Sequence, residues 1–127
     1  MSYRVYLTRD FKRDTKRLKK KYPSIVSDVS GLIEQLQERP DMGVLIKANL
    51  YKVRVAIKSK GRGKSGGGRV IYLVLQSSVE EGYLGLISLY DKSQQESHSD
   101  DQIEEAILEA IEAFEDAESS DGVDPVS

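Results

Sequence analysis

Arg62-Gly63-Lys64-Ser65-Gly66-Gly67-Gly68-Arg69 joins two strand-like segments, Tyr51 to Ile57 and Val70 to Leu75. Glycine lets a backbone approach a ligand closely, while lysine and arginine supply the charge that phosphates attract. The preceding strand adds to this chemistry. Lys52, Arg54 and Lys58 alternate with Tyr51, Val53, Val55 and Ile57, and a period of two sends cations to one sheet face and apolar side chains to the core. Lys60, Arg62, Lys64 and Arg69 lie in or beside the loop, so these groups can converge on a single RNA or DNA backbone held in a groove. The other reading is a solvated hairpin whose lysines keep an edge strand from pairing, although edge protection does not call for arginine beside three glycines. A nucleotide-binding P-loop does not fit. Its Gly-x-x-x-x-Gly-Lys-Ser spacing needs glycine where Lys58 stands, and this loop leads into a strand instead of opening a helix.

Tyr90-Asp91-Lys92 closes a later strand, and strand ends beside loops often carry functional side chains. Tyr90 can equally be a core aromatic with its hydroxyl at the rim. His98, the single histidine, is a possible proton donor or acceptor, or an incidental surface residue. With no cysteine and no second histidine, Asp100 and Asp101 read as acids of a helix N-terminus and not as metal ligands. Neither a metal nor a cofactor is expected. Arg9, Lys12, Arg13, Lys16, Arg17, Lys19, Lys20 and Lys21 form a second basic surface, either a phosphate-contacting face or a solvated one.

The elements that must position these residues follow from periodicity. Tyr3, Val5 and Leu7 alternate with Arg4 and Tyr6 as a short strand, and Thr8 can cap a helix from Arg9 to Tyr22 carrying Phe11, Thr15, Leu18 and Tyr22 on one side. After Pro23, Ser24 can cap a second helix with Ile25, Val29, Leu32, Ile33 and Leu36 on its stripe, ending before Pro40. So short a connection predicts an antiparallel helical hairpin. Val70 to Leu75 and Tyr83 to Tyr90 are apolar on both faces and therefore central in an antiparallel meander with the 51–57 strand. Ser99-Asp100-Asp101-Gln102 is a capping box opening a third helix with Ile103, Ile107, Ala110, Ile111 and Phe114. Residues 118–127 have too little apolar content to order themselves and are expected to be a disordered acidic tail after one domain over residues 1–117.

Charge is divided along the chain. Residues 1–75 hold 18 of the 19 Lys and Arg and 6 of the 21 Asp and Glu, so a net charge of −2 hides a strongly basic half. That asymmetry points to nucleic acid or an acidic partner. Tyr83 to Tyr90, the longest nearly apolar stretch, is far short of the roughly 20 residues a membrane helix needs. No signal-peptide h-region is visible, so the expected location is the cytoplasm, with no membrane partner.

The run from Leu50 to Tyr72, with its Tyr-Lys-x-Arg-Val strand, Gly-Lys-x-Gly-Gly loop and Arg-Val-Ile-Tyr strand, together with Ile87 to Lys92, resembles the RelE/HigB type of toxin from bacterial toxin-antitoxin modules. The resemblance spans most of residues 3–115 in element order. It implies an α+β fold in which an N-terminal strand and helical hairpin pack on the meander and a C-terminal helix follows. It also implies a cognate antitoxin protein and metal-independent cleavage of messenger RNA in the ribosomal A site. Carried onto this chain, Arg69 becomes the group for transition-state stabilisation, helped by Arg54 and Lys64. Lys52 and Lys58 would hold the flanking RNA backbone, with Lys60 and Arg62 in the adjoining loop. Tyr90 and Lys92 match the family's Tyr-x-Lys segment, and His98 falls near a C-terminal acid/base position. The acidic third helix departs from the family's basic form, and its acids must face away from the cations or pair with the first helix. A non-catalytic inhibitor of a protein such as DNA gyrase, as in the related ParE branch, is the alternative, as is a degenerate relative that binds RNA or its antitoxin without cutting.

Overall fold

The computed structural model describes residues 2–60, 66–76, 78–94, 96 and 98–122, with side chains through 119. The chain is an α+β protein. Its elements are β1 (Ser2–Leu7), α1 (Arg9–Lys21), α2 (Ile25–Glu38), β2 (Val44–Lys47), β3 (Leu50–Val55), β4 (Gly68–Gln76), β5 (Glu81–Asp91) and α3 (Asp100–Gly122), with a single 3-10 turn at Lys58–Lys60. The sheet order is β1-β5-β4-β3-β2. β2 to β5 form an antiparallel meander, and β1 joins β5 in parallel. Since β1 and β2 occupy opposite edges, the α1–α2 hairpin must carry the chain across the whole sheet, which lays it over one face.

Local chemistry sets this path. The buried Thr8 hydroxyl accepts from the Phe11 amide, as a helix cap should, and donates to the Leu86 carbonyl at 2.8 Å. One side chain therefore starts α1 and fastens it to β5. Phe11, Leu18, Ile25, Val29, Leu32 and Leu36 then pack on Val53, Val55, Val70, Tyr72, Leu84 and Leu86. The other sheet face meets α3, where Ala106, Ala110 and Phe114 cover Leu50, Ile71, Leu73, Tyr83 and Ile87. The expected capping box forms, with the Gln102 amide donating to Ser99 Oγ and the Ser99 amide to Gln102 Oε1.

A register shift interrupts the β4–β5 ladder, since Ile71 pairs with Ser88 while Tyr72 pairs with Leu86. The extra residue on β5 reverses its alternation. Leu84 and Leu86 face the hairpin before the bulge; Leu89 does so after it, and Tyr90 joins the α3 side.

Several expectations change in detail. β2 was not foreseen, nor was the parallel pairing of β1, because neither leaves a periodic signature in so few residues. β3 stops at Val55, two residues before Ile57, because the chain turns into the 3-10 segment. The Ser24 hydroxyl donates to Asp28 and gives α2 no side-chain cap. α3 continues through Gly122, past the expected boundary at Ala117, while residues 123–127 of the expected tail lie outside the described residues.

Gly85 shows how closely α3 sits. A Cβ there would lie 2.9 Å from the Ala110 Cβ and 3.4 Å from the Phe114 ring. Gly85→Ala is expected to push α3 outward and cost about 1–3 kcal/mol, read as a lower urea midpoint in equilibrium unfolding.

Candidate nucleic-acid interface

Val53, Val55 and Val70 belong to the hairpin-side core, so the alternating Lys52, Arg54 and Arg69 point from the other face. Arg54 pairs in register with Arg69, and Arg69 with Tyr90. Three neighbouring strands thus carry a row of Arg54, Arg69 and Tyr90, with Cα atoms about 4.5–5.5 Å apart across each pair. The bulge on β5 is what turns Tyr90 toward this row. Like charges directly opposite one another destabilise a sheet, so the arginine pair is a cost the fold carries at this position. Arg69 donates one guanidinium hydrogen to the Gly68 carbonyl at 2.9 Å, which orients it. A groove of about 320 Å³ is lined by Lys52, Arg54 and Arg69 together with Val44, Val53 and Ile46. No carboxylate is among those lining residues.

The remaining expected residues divide. Lys58 lies beyond β3 and lines another groove, between α2 and the end of β3, which it shares with Arg54 as well as Asp28, Gly31 and Gln35; its backbone amide donates to Asp28. Lys60 faces inward. Its ammonium is 2.5 Å from Asp91, and the two side chains are only 11% and 1% exposed. The Tyr22 hydroxyl donates to the same carboxylate at 2.6 Å, and both the amide and hydroxyl of Ser93 donate as well. Burial pushes the Asp91 carboxyl up, but the bonds from Lys60, Tyr22 and Ser93 outweigh it and hold the group well below the usual carboxylate range. Lys92 is exposed, and its amide donates to the Gly67 carbonyl. A Cβ on Gly67 would fall 2.2 Å from the Val55 carbonyl oxygen, so only glycine closes the base of the loop. Arg62 and Lys64 lie outside the described residues.

His98 is not in the cationic row. Its Nε2 meets the Asp14 carboxylate at 2.9 Å, with Asp10 at 3.8 Å from Nδ1. Asp14 is buried and also accepts from the Leu89 amide and Arg17; burial raises its pKa, and those donors oppose the rise. The cluster sits on β5 beyond the end of β1, across β4 from Arg54. Its visible role is to fasten His98, two residues before the start of α3, to α1. The acids of α3 are partly engaged elsewhere: Glu109 accepts from Tyr6, from the Arg9 amide and from the Arg9 side chain, and Glu104 pairs with Lys47 at 3.0 Å.

Among the described residues there is no group of three or more His, Cys, Asp or Glu arranged for a metal, and no helix long and apolar enough to cross a membrane. No protein-family model matches the chain, and no curated protein matches it.

Sequence reasoning missed the part played by Asp91, Tyr22 and Ser93. Unbroken alternation from Leu84 and Leu86 would aim Asp91 away from Tyr22, and only the bulge on β5 turns it to the buried side, where a carboxylate needs donors. The apolar β2 residues Val44 and Ile46 were also missed, although they form one wall of the groove.

Asp91→Asn leaves Lys60 without its counter-charge in a buried place and is expected to cost about 3–5 kcal/mol. Because the folded-state pKa of Asp91 is depressed, its contribution is fully present above the unfolded value of about 3.9 and is lost as pH falls toward the folded one. Urea unfolding of both proteins at pH 7 and pH 3 should therefore show a smaller gap at pH 3.

Proposed function

We propose that this chain is the toxin of a toxin-antitoxin pair and a metal-independent endoribonuclease that cuts messenger RNA on the ribosome in the cytoplasm. The row of Arg54, Arg69 and Tyr90 beside Lys52 carries this reading, and the resemblance to RelE/HigB toxins supports it. In such a cut the 2′-hydroxyl of the RNA attacks the adjacent phosphorus. The bond to the 5′-oxygen breaks, leaving a 2′,3′-cyclic phosphate and a 5′-hydroxyl. Negative charge builds on the phosphorane oxygens, and Arg54 and Arg69, paired in register on neighbouring strands, would supply the cations that meet it. Lys52 extends the cationic track for the flanking backbone. Tyr90, at the end of the row, and the exposed Lys92 beyond β5 would orient the nucleotide or assist proton transfer.

The placement of His98 favours a second reading. Since its Nε2 is held by Asp14 and Lys60 is paired with Asp91, two of the expected functional groups are occupied by structural contacts. A protein that uses the same groove to bind RNA, or the acidic surface of a target such as gyrase, without cutting would need neither.

Arg69→Ala should keep its fold and lower cleavage on programmed ribosomes by roughly 10²–10³-fold, the usual effect of removing one charge-stabilising donor. Its urea midpoint checks the fold, and mapping of 5′ ends checks the cut. Growth arrest by the unaltered protein with intact messenger RNA would select the non-cutting reading.

A further inference from the structure

A second groove lies in the helical layer, on the other side of the sheet from the arginine row. It has a volume of about 340 Å³ and runs between α1 and α2. Its floor is Leu7, Phe11, Val29 and Ile33, with Val26 at the lip. Val26 is 47% exposed, whereas Phe11 and Val29 are 1% and 6% exposed. Lys12, Lys16 and Lys19 stand along the α1 rim. Spaced four and three residues apart, they share one helix face over about 10 Å, two turns. No carboxylate lines the groove, and no ion pair to these three lysines occurs among the described residues.

We propose that this groove docks an acidic amphipathic helix supplied by a partner protein. An apolar floor with a cationic rim is complementary to a helix that carries apolar residues on one face and Asp or Glu along one flank. The ridges of two neighbouring helices receive a third helix readily. An extended strand fits poorly, because α1 and α2 have already paired their backbone groups internally and would leave those of the strand unmatched. A bilayer surface fits poorly as well. The apolar floor is recessed, so inserted side chains reach it and a flat lipid surface does not. RNA phosphates would find the lysines but would leave the apolar floor uncovered. The groove and the arginine row lie on opposite sides of the sheet, so this proposal does not rest on the nuclease reading.

The test uses the full chain and a fluorescently labelled amphipathic peptide of about 20 residues, with leucine on one face and glutamate along one flank. A control peptide carries lysine in place of every glutamate. Anisotropy should report saturable binding of the acidic peptide alone. Val26→Asp, at the partly exposed lip, should weaken it about tenfold or more, and a Lys12→Glu, Lys16→Glu, Lys19→Glu triple variant should do the same, with both variants folded by circular dichroism. Val26→Asp should leave ribosomal cleavage, where that occurs, unchanged. Any of four results overturns the proposal: no binding of the acidic peptide; equal binding of the lysine control; binding to phosphatidylserine vesicles without binding to the peptide; or self-association in sedimentation that Val26→Asp abolishes, which would make a second copy the occupant. A missing peptide complex with normal A-site cuts rejects the docking groove alone, and the reverse result rejects the nuclease alone.

Discussion

The Asp91 carboxylate joins parts of the molecule that are distant in sequence. It receives Tyr22 from the end of α1, Lys60 from the turn after β3, and Ser93 from the segment leaving β5. With 1% of the side chain exposed, the charge survives burial only because these donors surround it. Both residues next to it, Tyr90 and Lys92, belong to the candidate site. Lys60 stands at the root of the glycine loop, and the Lys92 amide is bonded to Gly67 at the loop's other root. The Asp91–Lys60 pair and the bond from the Lys92 amide to Gly67 thereby hold Lys60 and Gly67, the residues on either side of the glycine loop. A lysine expected to grip RNA is instead part of the frame that holds the other cations in place.

The arrangement of strands then decides which charges meet. Alternation on β3 and β4 places Arg54 opposite Arg69, a pairing that propensity would avoid. The β-bulge adds Tyr90 to the same row, since without the extra residue β5 would have turned that ring into the hairpin-side core and Asp91 away from Tyr22. A single irregularity in the ladder therefore serves both the row and the buried carboxylate. Bulges commonly re-aim a side chain in this way.

Much of this was legible from residues alone. The α1 and α2 stripes, the Thr8 cap, the Ser99–Gln102 box and the central position of β4 and β5 all follow from local patterns, and the helices, caps and strand order agree with them. The convergence of Lys52, Arg54 and Arg69 was legible for the same reason, because it depends only on a period of two. Lys58 was misplaced by extending that period past Val55, where the strand has already ended, while Lys60, expected among the cations of the loop, is paired with Asp91. The bulge, the parallel seat of β1 and the capture of His98 by Asp14 depend on contacts 14 to 84 residues apart. Nothing in the neighbourhood of His98 could announce a partner on α1.

Charge segregation along the sequence becomes segregation in space only in part. Glu109 reaches across to cap the start of α1 and hold Tyr6, which raises the phenol's pKa through that hydrogen bond first and burial second. Glu104 meets Lys47 at the end of β2. These contacts place acids of α3 against basic groups at the rims of the sheet and leave the groove over β2, β3 and β4 lined by cations and apolar side chains. Exposed pairs of this kind contribute little stability individually. Their effect is positional: each carboxylate held at a rim is one that does not lie across the arginine row. The negative half of the chain thus packs on the sheet face that carries the cations, while the residues lining the groove over Lys52, Arg54 and Arg69 include no carboxylate.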